Sequence, residues 1–209
     1  MQSVLASNAV AAYLGAALNH LDTGVFLVDG EMHLLHANVA ALALLERDTV
    51  LRRYGDKLLQ DAGCGERSLA RMVRAVLADE SAEPCPQALC VLRCHRQPLL
   101  LTVAPFLPPR GRPVLSPCAI VMVADPESRR LSRDLLRQLF DLTPAEASVA
   151  QALARGEALD DIAAELAVTL ATVKSHLQRL FRKTGTRRQG ELVAMLHRSP
   201  AVLPLHPFE

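Results

Sequence analysis

Six basic side chains fall between Lys174 and Arg188 (Lys174, Arg179, Arg182, Lys183, Arg187 and Arg188), and no acid stands among them. Guanidinium and ammonium groups at this density suit phosphate oxygens, and arginine, lysine and glutamine also pair with the edges of bases. Val173, Leu177, Leu180 and Phe181 recur at i, i+4, i+7 and i+8, so a helix over residues 171–183 buries those four. The face left outward carries Lys174, Ser175, Gln178, Arg179 and Arg182, with Thr172 and His176 flanking it near the N-terminal end. No acid occurs from Leu166 to Gly190, so this helix lacks the i,i+4 Glu–Lys pairs of a merely solvated one.

Other chemistry is thinner. Of five cysteines, four lie between Cys64 and Cys94, an odd total that fits reduced thiols better than a disulfide framework. Cys90 and Cys94 on one straight strand stand ~13 Å apart, too far for one tetrahedral ion, and there is no C-x-x-C pair. His20, His33, His36 and His95 are the candidate haem ligands, His36 with a structural hydrogen bond as its plainer role. No Gly-rich phosphate loop, H-E-x-x-H or Ser-His-Asp logic appears, so no enzyme is expected.

The basic helix needs a frame. Thr143, Pro144 and Glu146 form a capping box with proline at the first helical position, and Gly156 ends that helix. A second helix covers residues 159–166, and the turn at Ala167 and Val168 leads to Thr169, cap of the third, stopped by Gly185. A fourth covers residues 188–197. Two helices joined by so short a turn form a helix-turn-helix, whose second member enters the DNA major groove.

Upstream the period changes. Residues 1–20 read as an amphipathic helix. Apolar runs at 25–28 and 33–36 flank Asp29 and Gly30, a hairpin signal, and Asn38 caps a helix that follows. Residues 68–78 are helical in pattern, and Gln87–Arg93, residues 99–104 and Cys118–Ala124 read as strands with proline-marked connections. The expected module is α+β, a five-stranded antiparallel sheet with helices on one face.

Leu142 to about Leu196 closely resembles the LuxR-type DNA-binding domain, with Thr143–Pro144–Ala145–Glu146, Gly156, Ile162–Ala163, Leu166, Thr172–Val173–Lys174, His176, Lys183 and Gly185 at family spacing. Residues 17–125, opening on GVFLVDGEMHLLHANVAALALLE, are similar to a PAS-like sensor. The resemblance implies that Lys174, Ser175 and Gln178 read the groove, with Thr172, Arg182, Lys183 and Arg187 near the backbone. Two departures stand out. Ala158–Leu159–Asp160–Asp161 replaces the usual polar opening of the second helix, and Leu170 replaces an acid, placing an apolar group near DNA.

Two inputs common in front of such a domain are excluded. Lys57 is the sole lysine before residue 138 and no acceptor aspartate is placed on a strand, which argues against a phospho-receiver. The absence of tryptophan, with Tyr13 and Tyr54 the only tyrosines, argues against an acyl-homoserine-lactone pocket. Cys64 does not resemble the flavin-reactive cysteine of light sensors.

The expected organisation is an N-terminal helix (1–16), a PAS-like sensor or dimerisation domain (17–125), a linker helix (126–140), the helix-turn-helix domain (141–198) and a tail (199–209). The implied activity is cytoplasmic transcription regulation. Its partners are duplex DNA, a second copy of the chain, a small-molecule ligand and RNA polymerase, and no membrane. No cofactor is expected; the alternative is a haem- or metal-dependent redox sensor. No apolar run reaches the ~18–20 residues that span a bilayer.

With 209 residues, half of them apolar, the chain can bury a core without disulfides, and a wholly disordered chain is excluded. The net charge of +1 hides two blocks: six acids and one base from Asp141 to Glu165, then the six bases.

Overall fold

The computed structural model describes residues 13–60, 68–79, 85–106, 117–128 and 131–202. The remaining parts of the expected N-terminal helix, linker and tail, together with Cys64, lie outside them. The chain divides into two compact units, 1–128 and 129–209.

The first unit is the expected α+β module. β1 (Gly24–Asp29), β2 (Leu34–Ala37), β5 (Gln87–Arg93), β6 (Arg96–Phe106) and β7 (Cys118–Ala124) form an antiparallel sheet in the order β2-β1-β7-β6-β5. Helices α1 (Val39–Arg47) and α2 (Leu69–Ala78) are amphipathic, as their 3.6-residue spacing requires. Leu69, Met72, Val73 and Val76 of α2 pack with Phe26, Val28, Leu101, Val103 and Val121 of the sheet. α1 approaches β1 so closely that a Cβ on Gly24 would stand 3.2 Å from Ala41 Cα.

Asn38 organises the entry to this core and is fully buried. Its Oδ1 accepts from the Val25 and Ala41 N–H groups, both at 2.9 Å, and its Nδ2 donates to the Leu18 and Thr23 carbonyls at 2.9 and 3.0 Å. One side chain therefore caps α1 and ties it to β1 and to the helical stretch at 13–18.

Three local features depart from the sequence reading. Between β1 and β2 the left-handed residue is Met32, φ 68°, rather than Gly30, because the Asp29 carboxylate accepts from the Glu31 and His33 N–H groups and fixes a longer loop. Residues 51–60, for which the sequence pattern predicts no strand, form a second hairpin, β3 (Leu51–Tyr54) and β4 (Lys57–Gln60), turning at Gly55 with φ 60°. Pro98 and Pro105 lie inside β6 rather than in its connections. Pro98 sits where the β5–β6 register shifts, and Pro105 lies beyond the end of the β5 pairing, so neither ring removes a ladder hydrogen bond on both sides.

The outer face of the sheet is mostly apolar, with Asp29 at the end of β1. Ala88 and Cys90 of β5, Leu100, Thr102 and Ala104 of β6, Ile120, Met122 and Ala124 of β7, and Leu27 of β1 share it by register. Leu100 and Met122 are 49% and 38% exposed.

At the opposite end of the module charges are buried. The Arg93 guanidinium meets Asp125 at 2.7 and 3.2 Å and Asp48 at 2.9 Å, and Arg96 reaches Glu127 at 2.8 Å.

The second unit is helical: α3 (Arg133–Phe140), α4 (Pro144–Ala154), α5 (Leu159–Glu165), α6 (Leu170–Thr184), α7 (Gln189–Arg198) and a 3-10 turn (Pro200–Val202). The core gathers Leu136, Val149, Leu153, Ile162, Val173, Leu180, Leu192 and Leu196. The helix expected as a linker is part of it, with Leu131 and Leu136 buried. Among the described residues no helix is long and apolar enough to cross a membrane.

Candidate nucleic-acid interface

α5 and α6 meet through a tight left-handed turn. Ala167 takes φ 53°, its N–H donates to the Ala164 carbonyl at 3.2 Å, and the Val168 N–H donates to the Ala163 carbonyl at 3.0 Å. This is a Schellman closure made without glycine. It is followed at once by the Thr169 cap, whose Oγ1 accepts from the Thr172 N–H at 3.1 Å. The spacing from Leu166 to Thr169 thus sets the angle between two helices rather than loosening it.

Thr143 and Glu146 make both bonds of the expected capping box, at 3.3 and 2.9 Å. Ala158 makes no side-chain cap, as its type requires, and Leu159 packs partly buried against the core. Asp160 and Asp161 in the first turn of α5 complement its N-terminal dipole instead. Leu170 is half-buried at the start of α6 rather than fully displayed.

The burial pattern of α6 follows its apolar spacing. Val173, Leu177 and Leu180 are buried and Phe181 packs against them, while Lys174, Ser175, Gln178, Arg179 and Arg182 are exposed and Thr172 is half-buried. Arg187 and Arg188, exposed in the loop before α7, extend the basic surface. Among the described residues, the side chains of Lys174, Arg179, Arg182, Arg187 and Arg188 make no hydrogen bond or ion pair. The hydroxyls are already oriented: Ser175 Oγ donates to the Ala171 carbonyl at 3.0 Å, and Thr172 Oγ1 lies 2.8 Å from Thr169 Oγ1.

Lys183 differs from the other five bases. Its Nζ lies 2.8 Å from Glu146 Oε2 and also donates to the Asp141 carbonyl. Glu146 is almost wholly buried, which by itself resists ionisation, but the ammonium of Lys183 and the Thr143 N–H outweigh burial and hold its carboxyl below the ordinary glutamate range. Sequence spacing places Lys183 beside the basic face and gives no sign of this partner, which is 37 residues away.

The glutamates of the acidic block are likewise engaged within the unit. Glu146 caps α4 and binds Lys183, and Glu157 and Glu165 both hold Arg155, the latter at 3.0 Å. The bases of α6 thus remain without acidic partners apart from Lys183, which is why the near-zero net charge does not describe this surface.

The described residues of the first unit offer no comparable chemistry. Cys90 is exposed on the outer sheet face, Cys94 and His95 occupy the β5–β6 turn, and Cys118 is buried with its thiol pushed up by burial. His33 Nδ1 lies 2.8 Å from Asp29 Oδ2, and His36 Nε2 is buried with no partner. Among the described residues no three His, Cys, Asp or Glu side chains gather as a metal site.

Residues 141–196 match the family described as bacterial regulatory proteins, luxR family. This part of the chain is a LuxR-type helix-turn-helix domain, a DNA-binding domain of transcription regulators and not an enzyme fold. No curated protein matches the chain. Among solved structures, a phage VqmA in complex with DPO is 20% identical, covers 93% of this chain and 91% of its own, and gives a TM-score of 0.38. The Vibrio cholerae VqmA dimer without target DNA is 17% identical over 89% and 86%, with a TM-score of 0.34. The PAS domain of nitrogen regulation protein NR(II) from Vibrio parahaemolyticus is 20% identical over 53% of this chain and 95% of its own, with a TM-score of 0.30. At scores this low, what those proteins bind stays with them.

Proposed function

We propose that the chain is a transcription regulator that binds a specific duplex sequence through α6, under the control of its PAS-like first unit. The observation that carries this is the outward face of α6, where Lys174, Arg179 and Arg182 stand without acidic partners beside Ser175 and Gln178. Lys174 and Ser175 lie in the N-terminal half of the helix, the half that reaches base edges in this motif, and Gln178 lies just past its midpoint. Thr172, Arg179, Arg182 and Arg187 flank them at the reach of the phosphate backbone.

The regulator acts as a two-fold dimer on inverted half-sites about one helical turn apart. The mostly apolar outer face of the sheet, with Leu100 and Met122 exposed, supports self-association through the first unit. The first unit is the sensor of a small molecule, and a haem- or metal-dependent redox reading gains no support from the placement of its histidines and cysteines.

The test is repeated selection of random duplexes by the purified chain at fixed salt. Enrichment of an inverted repeat is expected. Failure to enrich any motif, with binding that depends only on salt, overturns the reading.

A further inference from the structure

We propose that Lys183, although it lies in the basic run, is a positioning residue that fixes the reading helix against the α3–α4 junction and does not touch DNA. The inference rests on the DNA-binding reading of α6 and goes a step beyond it.

The geometry is a three-way joint. Lys183 stands in the last turn of α6. Its Nζ bonds Glu146 Oε2 at 2.8 Å, in the first turn of α4, and the carbonyl of Asp141, which ends α3 in a left-handed conformation at φ 50°, ψ 47°. Glu146 Oε2 also accepts from the Thr143 N–H at 2.9 Å. Two acceptors thus hold one ammonium, and one of them is a carbonyl left over by the end of a helix. The side chain is 24% exposed, whereas Glu146 is 2% exposed, so Lys183 is pulled inward.

Such a joint changes what the rest of α6 can do. The helix is anchored at its start by the Ala167 turn and along its length by Val173, Leu177 and Leu180. Without a tie at its last turn it can pivot on those apolar contacts, which are not directional. Reading a base edge needs side chains held to a fraction of an ångström, so the remote end of the helix sets the register of Lys174 and Gln178. A phosphate contact by Lys183 would instead require it to leave a nearly buried carboxylate without its partner.

The two roles predict opposite signs for one substitution, Glu146→Gln. Glutamine keeps the capping box, so only the ion pair is lost. If Lys183 positions α6, Glu146→Gln weakens binding to a duplex selected by the wild-type full chain three- to tenfold, with an unchanged slope of log affinity against log salt. The double variant Glu146→Gln/Lys183→Met is then no weaker than Glu146→Gln alone, because the tie is already gone. If Lys183 contacts phosphate, removing an acid tightens binding, and the double variant loses affinity on every duplex with a slope smaller by about one. Either of those results overturns the proposal.

Should Glu146→Gln melt below the assay temperature, Lys183→Arg decides. It keeps the charge but replaces a compact ammonium, held by two acceptors at once, with a broad planar guanidinium, so a severalfold loss on the selected duplex is expected, and unchanged affinity counts against positioning. A wild-type chain that selects no duplex sinks the DNA reading itself, whereas selection followed by tighter binding of Glu146→Gln sinks only the role of Lys183.

Discussion

Arg93 and Asp125 face each other through two parallel hydrogen bonds, 2.7 and 3.2 Å, with 3% and 10% of their side chains exposed. Asp48 shares the same guanidinium at 2.9 Å. Removing Arg93 leaves two nearly buried carboxylates with the half-exposed Arg96, at 3.4 and 3.6 Å, as the one cation to answer them among the described residues. Arg93→Ala is expected to cost about 2–4 kcal/mol in urea unfolding at neutral pH. Burial disfavours the charged form of Asp125, yet Arg93 overrides it and the carboxyl titrates below its ordinary range. Such a group stabilises the fold above the unfolded value of about 4 and ceases to do so as pH falls through the lowered folded value. The gap between wild type and Arg93→Ala should therefore narrow below about pH 4.

Asn38→Asp keeps the two bonds that Asn38 accepts and turns its two donations, to Leu18 and Thr23, into oxygen facing oxygen. A loss of about 2–3 kcal/mol is expected. Thermal unfolding followed by circular dichroism measures it, and protonating the new carboxyl restores one donor, so part of the loss is recovered in acid.

Ala167 pays for a left-handed backbone that glycine adopts without strain, and its turn is otherwise complete. Ala167→Gly should stabilise the helical unit by about 0.5–1 kcal/mol, the steric relief exceeding the added chain entropy. A lowered melting temperature would contradict this account of the turn.

Lys174→Ala and Arg187→Ala separate reading from anchoring. The first is expected to weaken binding to a selected duplex by about 1–3 kcal/mol and to relax its sequence preference. The second should weaken binding to all duplexes alike and reduce the salt slope by about one. Filter titrations over a range of salt distinguish them, and equal affinities for both variants and wild type would remove α6 from the interface.

Leu100→Lys places a charge in the apolar middle of the sheet face without touching the core, since Leu100 is half exposed. Light scattering on the purified chain should show dimer for wild type and monomer for the variant.

Much of this was legible before any coordinates. Gln87–Arg93 and Cys118–Ala124 are strands at the predicted residues, because apolar alternation in a half-buried strand is dictated by period two. The Thr143 box and the buried stripe of α6 follow from chemistry within one or two turns. The hairpin at 51–60 escaped because only Leu51 and Leu58 enter the core, too few to show a period against Arg52, Arg53 and Lys57. The left-handed residue at Met32 escaped because a side chain, Asp29, shaped that loop rather than the glycine beside it. Lys183 escaped because a pairing partner 37 residues distant leaves no trace in local spacing.

The placement of α3 has a practical edge for anyone dissecting the molecule. Ser132 donates to the Ala201 carbonyl at 3.0 Å, Gln151 reaches the Leu131 carbonyl, and Leu136 is sealed into the helical core. The family match ends short of all this on both sides, at residues 141 and 196. A fragment cut to the match would strip one wall from its own core and discard the carboxyl-terminal turn that closes it. A piece that begins ahead of Leu131 and runs through Val202 would keep those contacts, so the boundaries of the motif and those of the compact unit part company by about a dozen residues at the front.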